Sequence, residues 1–231
     1  MKRSARWLGE SAMKILALEF SSEQRSVAVV ESRTGVPPVP LSAVSETGTR
    51  SVKAIALIET ALRQAGVTRE EIECVAVGLG PGSYAGIRIA IALAQGWQLA
   101  RGIKLLGVSS ADCLAAEACA QGLRGRVHVT IDAQRNEVYV AAYEINDRGC
   151  KETTPLRLAP AAEIQILAAA GETVIGPEVK RWCESGHVVF PSAKQLGLAA
   201  AVRMDFVSGE KLEPIYLRAV SFVKAPPPRS L

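Results

Sequence analysis

The sequence predicts an α/β protein built as two related halves in tandem. Two observations carry that reading. Short β-branched runs alternate with helix-length amphipathic stretches along the 231 residues. The opening of the first half also returns in the second: Leu18-Glu19, a polar turn and Val27 to Glu31 are echoed by Ile131-Asp132, a polar turn and Val138 to Glu144. Each half therefore opens with an acid at the tip of a hairpin.

Taken in order, Lys14 to Phe20 and Arg25 to Glu31 are apolar strands joined by the turn Ser21-Ser22-Glu23-Gln24. Gly35-Val36-Pro37-Pro38 breaks the chain before a third strand at Leu41 to Ser45. Ser51 begins a helix with Ala54, Ile58, Ala61, Leu62 and Ala65 on one stripe, and Gly66 stops it. A strand at Glu73 to Val77 leads through Gly78 to Gly82 into a helix from Ser83 to Arg101, which Gly102 ends. Leu105 to Val108 and a helix from Ser110 to Ala120 complete the order βββαβαβα. After its hairpin the second half continues with a helix at Pro160 to Ala170, a strand at Thr173 to Ile175 and a helix at Glu178 to Ser185. A strand at His187 to Phe190 and a helix at Ala193 to Arg203 follow, so the second half reads as a shortened copy. The expected division is an N-terminal extension over 1–12, a first domain over 13–122, a second over 123–222 and a disordered tail over 223–231 that carries Pro226-Pro227-Pro228.

Composition excludes several classes. With 48% hydrophobic and 22% charged residues the chain can bury a sizeable core. Its apolar stretches fall short of the roughly 20 residues of a membrane helix, and Met1 to Ala12 is basic and polar without an apolar h-region. Neither a membrane span nor a secretory signal is expected. Five cysteines, odd in number and never spaced C-x-x-C, do not make a disulfide scaffold and point to a reducing cytoplasm. The net charge of +4 is scattered among 23 acids, and aromatics make up only 5%, so neither a basic patch nor a base-stacking platform is announced.

The densest motif is Gly78-Leu79-Gly80-Pro81-Gly82-Ser83-Tyr84-Ala85-Gly86. Backbone N–H groups at such a strand-to-helix turn favour anions, which makes Gly80, Gly82 and Ser83 candidate nucleotide contacts together with Asp132. It is not a Walker A loop, since no Lys follows, nor a G-x-G-x-x-G, since the residue three after Gly80 is Ser83. The other reading is a tight turn in which Gly86 lets a neighbour approach closely. Glu19 and Asp132 likewise read either as a pair for a magnesium nucleotide or a general base, or as solvated turn residues. His128 and His187 are the only histidines, and neither an H-E-x-x-H helix nor a G-x-S-x-G elbow exists, so no metal site and no catalytic residue is assigned. The helix from Ser83 to Arg101 carries only Arg88 and Arg101 as charges. Its stripe of Gly86, Ala90, Leu93, Ala94 and Trp97 suits a sheet, while Ile87 and Ile91 lie off it. A helix apolar nearly all round needs a second cover, either the preceding helix or another chain. Ile87, Ile91 and Leu99, with Leu57 on the preceding helix, are therefore expected to face outward as a partner interface.

The stretches KILALEFSS, GLGPGSYAGIRIAIALAQGWQLA, DAQRNEVYVAAYE and PIYLR (Pro214 to Arg218), in this order, make the chain resemble the bacterial TsaB (YeaZ) family over roughly Met13 to Arg218. The resemblance implies two RNase H-like halves of the actin/Hsp70/sugar-kinase fold. It implies a role in making N6-threonylcarbamoyladenosine beside the tRNA anticodon, as the non-catalytic partner of the paralogue TsaD. TsaD carries the iron or zinc site and transfers the group, and TsaE is the ATPase that joins them. It further implies helix-mediated pairing with TsaD, a homodimer when alone, contact with tRNA only through the complex, and no cofactor. Two departures matter. Where the family's first strand usually ends in Asp-Thr-Ser this chain has Glu19-Phe20-Ser21, and where TsaD has two metal-binding histidines the corresponding stretch reads Arg50-Ser51-Val52-Lys53-Ala54. Residues before Met13 lie outside the match, and Met13 is a candidate start. Two rival readings are an ATP-dependent phosphotransferase of the sugar-kinase type, opposed by small size and the lack of a substrate-domain insertion, and a metallopeptidase, opposed by the histidine count.

Overall fold

A computed structural model of the chain describes residues 12–48 and 53–218. Expectations that fall on the first eleven residues, on residues 49–52 or on 219–231 lie outside the described residues. The chain forms two five-stranded mixed sheets of the same plan. In the first, β1 (Met13–Glu19) is central, antiparallel to β2 (Gln24–Arg33) and parallel to β4 (Cys74–Gly78), with β3 (Val36–Thr47) and β5 (Lys104–Val108) at the edges. In the second, β6 (Gly125–Asp132) is central, antiparallel to β7 (Glu137–Asn146) and parallel to β9 (Thr173–Gly176), with β8 (Gly149–Pro160) and β10 (His187–Val188) outside. These are two RNase H-like halves in tandem, and the repeated acids Glu19 and Asp132 end the two central strands.

The central strands are apolar on both faces because helices cover both. α1 (Ala54–Ala65) and α2 (Tyr84–Arg101) lie on one face of the first sheet, burying Ile58, Ala61, Ile87 and Ala90 against Leu16, Leu18, Val29 and Val75. α5 (Ala193–Ala201) covers the other face with Ala193, Leu196 and Ala200. α3 (Ser110–Ala120) packs Leu114, Ala115 and Ala118 on the second sheet, and α4 (Ala162–Ala169) closes that sheet's far side through Ile164. α3 also touches α5, so these two helices fill the space between the sheets. Among the described residues no helix is long and apolar enough to cross a membrane.

Four expectations are corrected. β3 runs through Val36-Pro37-Pro38, where a break was expected; an edge strand tolerates proline because the missing N–H faces no partner. β8 is a strand the sequence reading missed, since Lys151 to Arg157 is mostly polar and lies at an edge. The second half thus keeps all five strands and is shortened in its helices: Glu178 to Ser185 gives only a 3-10 turn at Val179–Arg181. The fourth concerns α2. Ile87 and Ile91 do not face outward: they are 1% and 7% exposed, on a buried stripe with Gly86, Ala90 and Ala94. The helix is rotated because Gly86 approaches the Phe20 carbonyl and Ile87 lies over Gly80, positions that only glycine frees. Leu57 is half-buried against the same core, while Leu99 is 89% exposed.

Candidate functional site

The two halves enclose a cavity of about 570 Å³ whose first wall is the β1–β2 turn with Gly82, Ser83 and Tyr84. Asp132, Gln134, Tyr139, Glu178 and Tyr216 form the opposite wall. Of the residues singled out from sequence, Gly82, Ser83 and Asp132 are brought together here, whereas Gly80 is not. Gly80 lies beneath, donating its N–H to Ser110 Oγ at 3.1 Å and accepting the Ser110 N–H at 2.8 Å.

The glycine-rich turn closes on the β1–β2 turn rather than opening to a ligand. Gly82 has φ +147°, and a Cβ there would lie 2.1 Å from the Ser21 carbonyl oxygen; at Gly86 a Cβ would lie 2.0 Å from that of Phe20. Ser83 donates its N–H to the Ser21 carbonyl at 2.6 Å, and its hydroxyl caps α2 by accepting the Gly86 N–H at 3.4 Å. Two donors of the kind a phosphate would use, the N–H groups of Ser83 and Gly86, are thereby taken by the protein.

Glu19 is fully buried at the end of β1. Its Oε1 accepts the Ser21 N–H at 2.8 Å and its Oε2 accepts the Ser110 hydroxyl at 2.9 Å. Burial raises its pKa, against the lowering pull of the Ser21 and Ser110 hydrogen bonds. Asp132 accepts the Gln134 N–H at 2.8 Å and pairs with Arg181 at 2.5 Å. Burial also raises the pKa of Glu178, whose Oε2 has no hydrogen-bond partner among the described residues. The loop after Asp132 holds Gln134, Arg135 and Asn136 at φ 63°, 57° and 60°, a left-handed run that Arg218 clamps through the carbonyls of Ala133 and Gln134 and the carboxylate of Glu137. The rings of Tyr84 and Tyr216 pack at 5.4 Å between centroids, tilted by 48°, with Arg88 over Tyr84.

Sequence reasoning missed Glu178 and Arg181, because lone polar residues in a second-half loop carry no motif; Tyr216 and Arg218 had a signal only through PIYLR. The histidines are apart from the cleft wall: His128 in β6 bonds Glu172 at 3.1 Å, and His187 lies in β10. Among the described residues no cluster of three His, Cys, Asp or Glu side chains could hold a metal.

Two sheets of one plan around a central cleft place the protein in the actin/Hsp70/sugar-kinase class. A family model described as TsaD, tRNA N6-adenosine threonylcarbamoyltransferase, matches residues 42–226. The chain is 30% identical over 224 residues to the tRNA threonylcarbamoyladenosine biosynthesis protein TsaB of Escherichia coli K12, covering 89% of this chain and 95% of that one. It is 26% identical over 143 residues to the TsaB of Bacillus subtilis, covering 62% and 60%. Among solved structures, YeaZ from Pseudomonas aeruginosa superposes with a TM-score of 0.72 at 28% identity, over 89% of this chain and all of that one. The chain belongs to the TsaB (YeaZ) family.

Proposed function

We propose that this chain serves tRNA threonylcarbamoyladenosine biosynthesis as a non-catalytic subunit that binds and activates the paralogue TsaD, acting with TsaE. The observation that carries the reading is the cleft's use of its own groups. Ser21 and Ser83 give their N–H groups to Glu19 and to the Ser21 carbonyl, and Asp132 is committed to Gln134 and Arg181. A polyphosphate would meet three acids on the cleft lining, Glu23, Asp132 and Glu178, against Arg25, whose Nη1 is already given to the Gly48 carbonyl, which opposes the phosphotransferase alternative.

The partner side of the proposal rests on the outer faces of α1 and α2. Ala85, Ala92, Gly96 and Leu99 on α2 and Ile55 on α1 are exposed, and Ile89 and Leu93 are half-buried beside them. Small residues on an apolar face allow close helix approach. Leu99 stays in the proposed interface and Leu57 borders it; Ile87 and Ile91 support it from inside. TsaD takes this face in the complex and a second copy takes it in TsaD's absence, with tRNA reached through the complex.

The test is reconstitution with TsaD, TsaE, ATP and tRNA, with threonylcarbamoyladenosine counted on the tRNA by mass spectrometry. The chain alone is expected to form none and its addition to raise the yield. Modification by the chain alone, or a yield indifferent to it, overturns the proposal.

A further inference from the structure

Away from the cleft, α3 and the β7–β8 hairpin meet at a second cavity of about 430 Å³ lined by Asp112, Cys119, Tyr143 and Cys150. Its two cysteines are placed reciprocally. Cys119, in the last turn of α3, directs its Sγ to the carbonyl oxygen of Asn146 at 3.9 Å, and Asn146 pairs across the hairpin with Gly149, the residue before Cys150. Cys150 directs its Sγ to the carbonyl oxygen of Ala115 at 3.2 Å, one helical turn before Cys119. Each sulfur reaches toward the backbone that carries the other, so the two thiols pass each other at the cavity wall. The remaining cysteines, Cys74, Cys113 and Cys183, are buried.

We propose that Cys119 and Cys150 form a reversible dithiol site that low-molecular-weight disulfides of the glutathione type oxidise to an intramolecular disulfide. The Cys119 thiolate attacks one sulfur of the small disulfide, a new S–S bond forms and one small thiolate leaves. Cys150 then gives up its proton to solvent and its sulfur attacks Cys119 Sγ, expelling the second small thiolate. Two electrons pass from the cysteine pair to the small disulfide, which ends as two thiols. Burial and the neighbouring Cys119 push the Cys150 thiol up to about 12, which fits its role as the second, resolving sulfur. The Arg124 guanidinium, bonded to the Cys119 carbonyl and to Asp147, lies beside the pair and opposes the rise at Cys150.

The bond would tie the end of α3 to the second sheet. The other end of α3 carries Ser110, which bonds the buried Glu19, and Glu19 in turn accepts the N–H of Ser21 on the cleft wall. Oxidation therefore restrains the helix that connects the thiol pair to the cleft.

The test treats the reduced full-length chain with oxidised glutathione, quenches with an alkylating reagent in denaturant so that buried thiols also react, and measures intact mass and peptide cross-links. The expected product has lost two hydrogens, leaves three of its five cysteines open to alkylation, and yields a cross-link between the Cys119 and Cys150 peptides. Cys150→Ser, at an exposed position, is expected to accumulate a glutathione adduct on Cys119 instead. A wild-type chain that stays fully reduced, stops at a glutathione adduct or bridges a different pair overturns the proposal; these readings come from the wild type and do not depend on how the variant folds.

Discussion

Gly96 separates the stability of the chain from its association. It lies in the interior of α2, exposed, and a Cβ built there meets nothing within 4 Å. A glycine in a helix interior costs about 0.5–1 kcal/mol relative to alanine, so on the isolated chain Gly96→Ala gains about that much. For a chain of this size that is a melting-temperature rise of roughly 2–4 °C per kcal/mol. Gly96→Leu gains similarly, since leucine is a good helix former and meets open space. On the proposed docking face the same leucine projects between Ala92 and Ala100, both exposed, and forces a partner helix away. Overpacking costs about 1–3 kcal/mol, which is roughly a 5- to 150-fold loss of affinity. The assay is urea unfolding followed by circular dichroism, with capture by TsaD and light scattering of the chain alone. A Gly96→Leu chain that is more stable and captures TsaD like the wild type would refute the docking face. A Gly96→Ala chain that is less stable would refute the packing argument itself.

Ile87→Asp is expected to unfold the chain rather than free its surface: removing a buried isoleucine costs about 2–5 kcal/mol before a carboxylate is desolvated, against a total of about 5–15. A cooperative, near-wild-type melt for this variant would show that Ile87 faces outward after all. Glu19→Gln tests the buried acid by pH. Because the folded pKa of Glu19 is raised above 4.5, its contribution is fully present below that value and is lost as pH rises through the folded pKa. Glu19→Gln should remove this part of the decline, seen as a smaller fall in urea midpoint from acidic to alkaline pH than in the wild type; parallel profiles would contradict it. Arg135→Gly relieves a left-handed residue at φ 57° and is expected to stabilise by about 1 kcal/mol, read as a raised urea midpoint. A lowered midpoint would show that the Arg135 side chain holds the loop.

What the sequence made legible was local. α2 and α3 begin and end close to where their capping residues place them, because Ser83 and Ser109 accept N–H groups at the N-termini and Gly102 takes the left-handed conformation after α2. The α2 face was not legible, since Gly86, Ala90 and Ala94 are common to both stripes and only the approach of Gly86 to Phe20 selects Ile87 and Ile91 over Leu93 and Trp97. That approach joins residues far apart in the chain. β8 escaped for the opposite reason: its pairing with β7 carries it, and its own residues bury little. The packing of α3 on the second sheet and of α5 on the first is also a matter of topology, which no residue in either helix announces.

The repeated acids show why a legible motif is not a legible site. Glu19 and Asp132 end equivalent strands, and each accepts the N–H of the residue two positions on: Ser21 at 2.8 Å in one half, Gln134 at 2.8 Å in the other. An acid closing its own turn in this way is a turn device in its own right, so the repeat in the sequence is accounted for by the repeat in the fold. Beyond that shared bond the two diverge. Glu19 turns under the sheet to Ser110 and loses solvent, while Asp132 turns to Arg181 at the cleft wall. Two carboxylates that began as copies are thus each satisfied within their own half. Chemistry across the cleft would need to break the hydrogen bonds that hold each turn, and that cost falls on the residues that position the glycine-rich loop under α2.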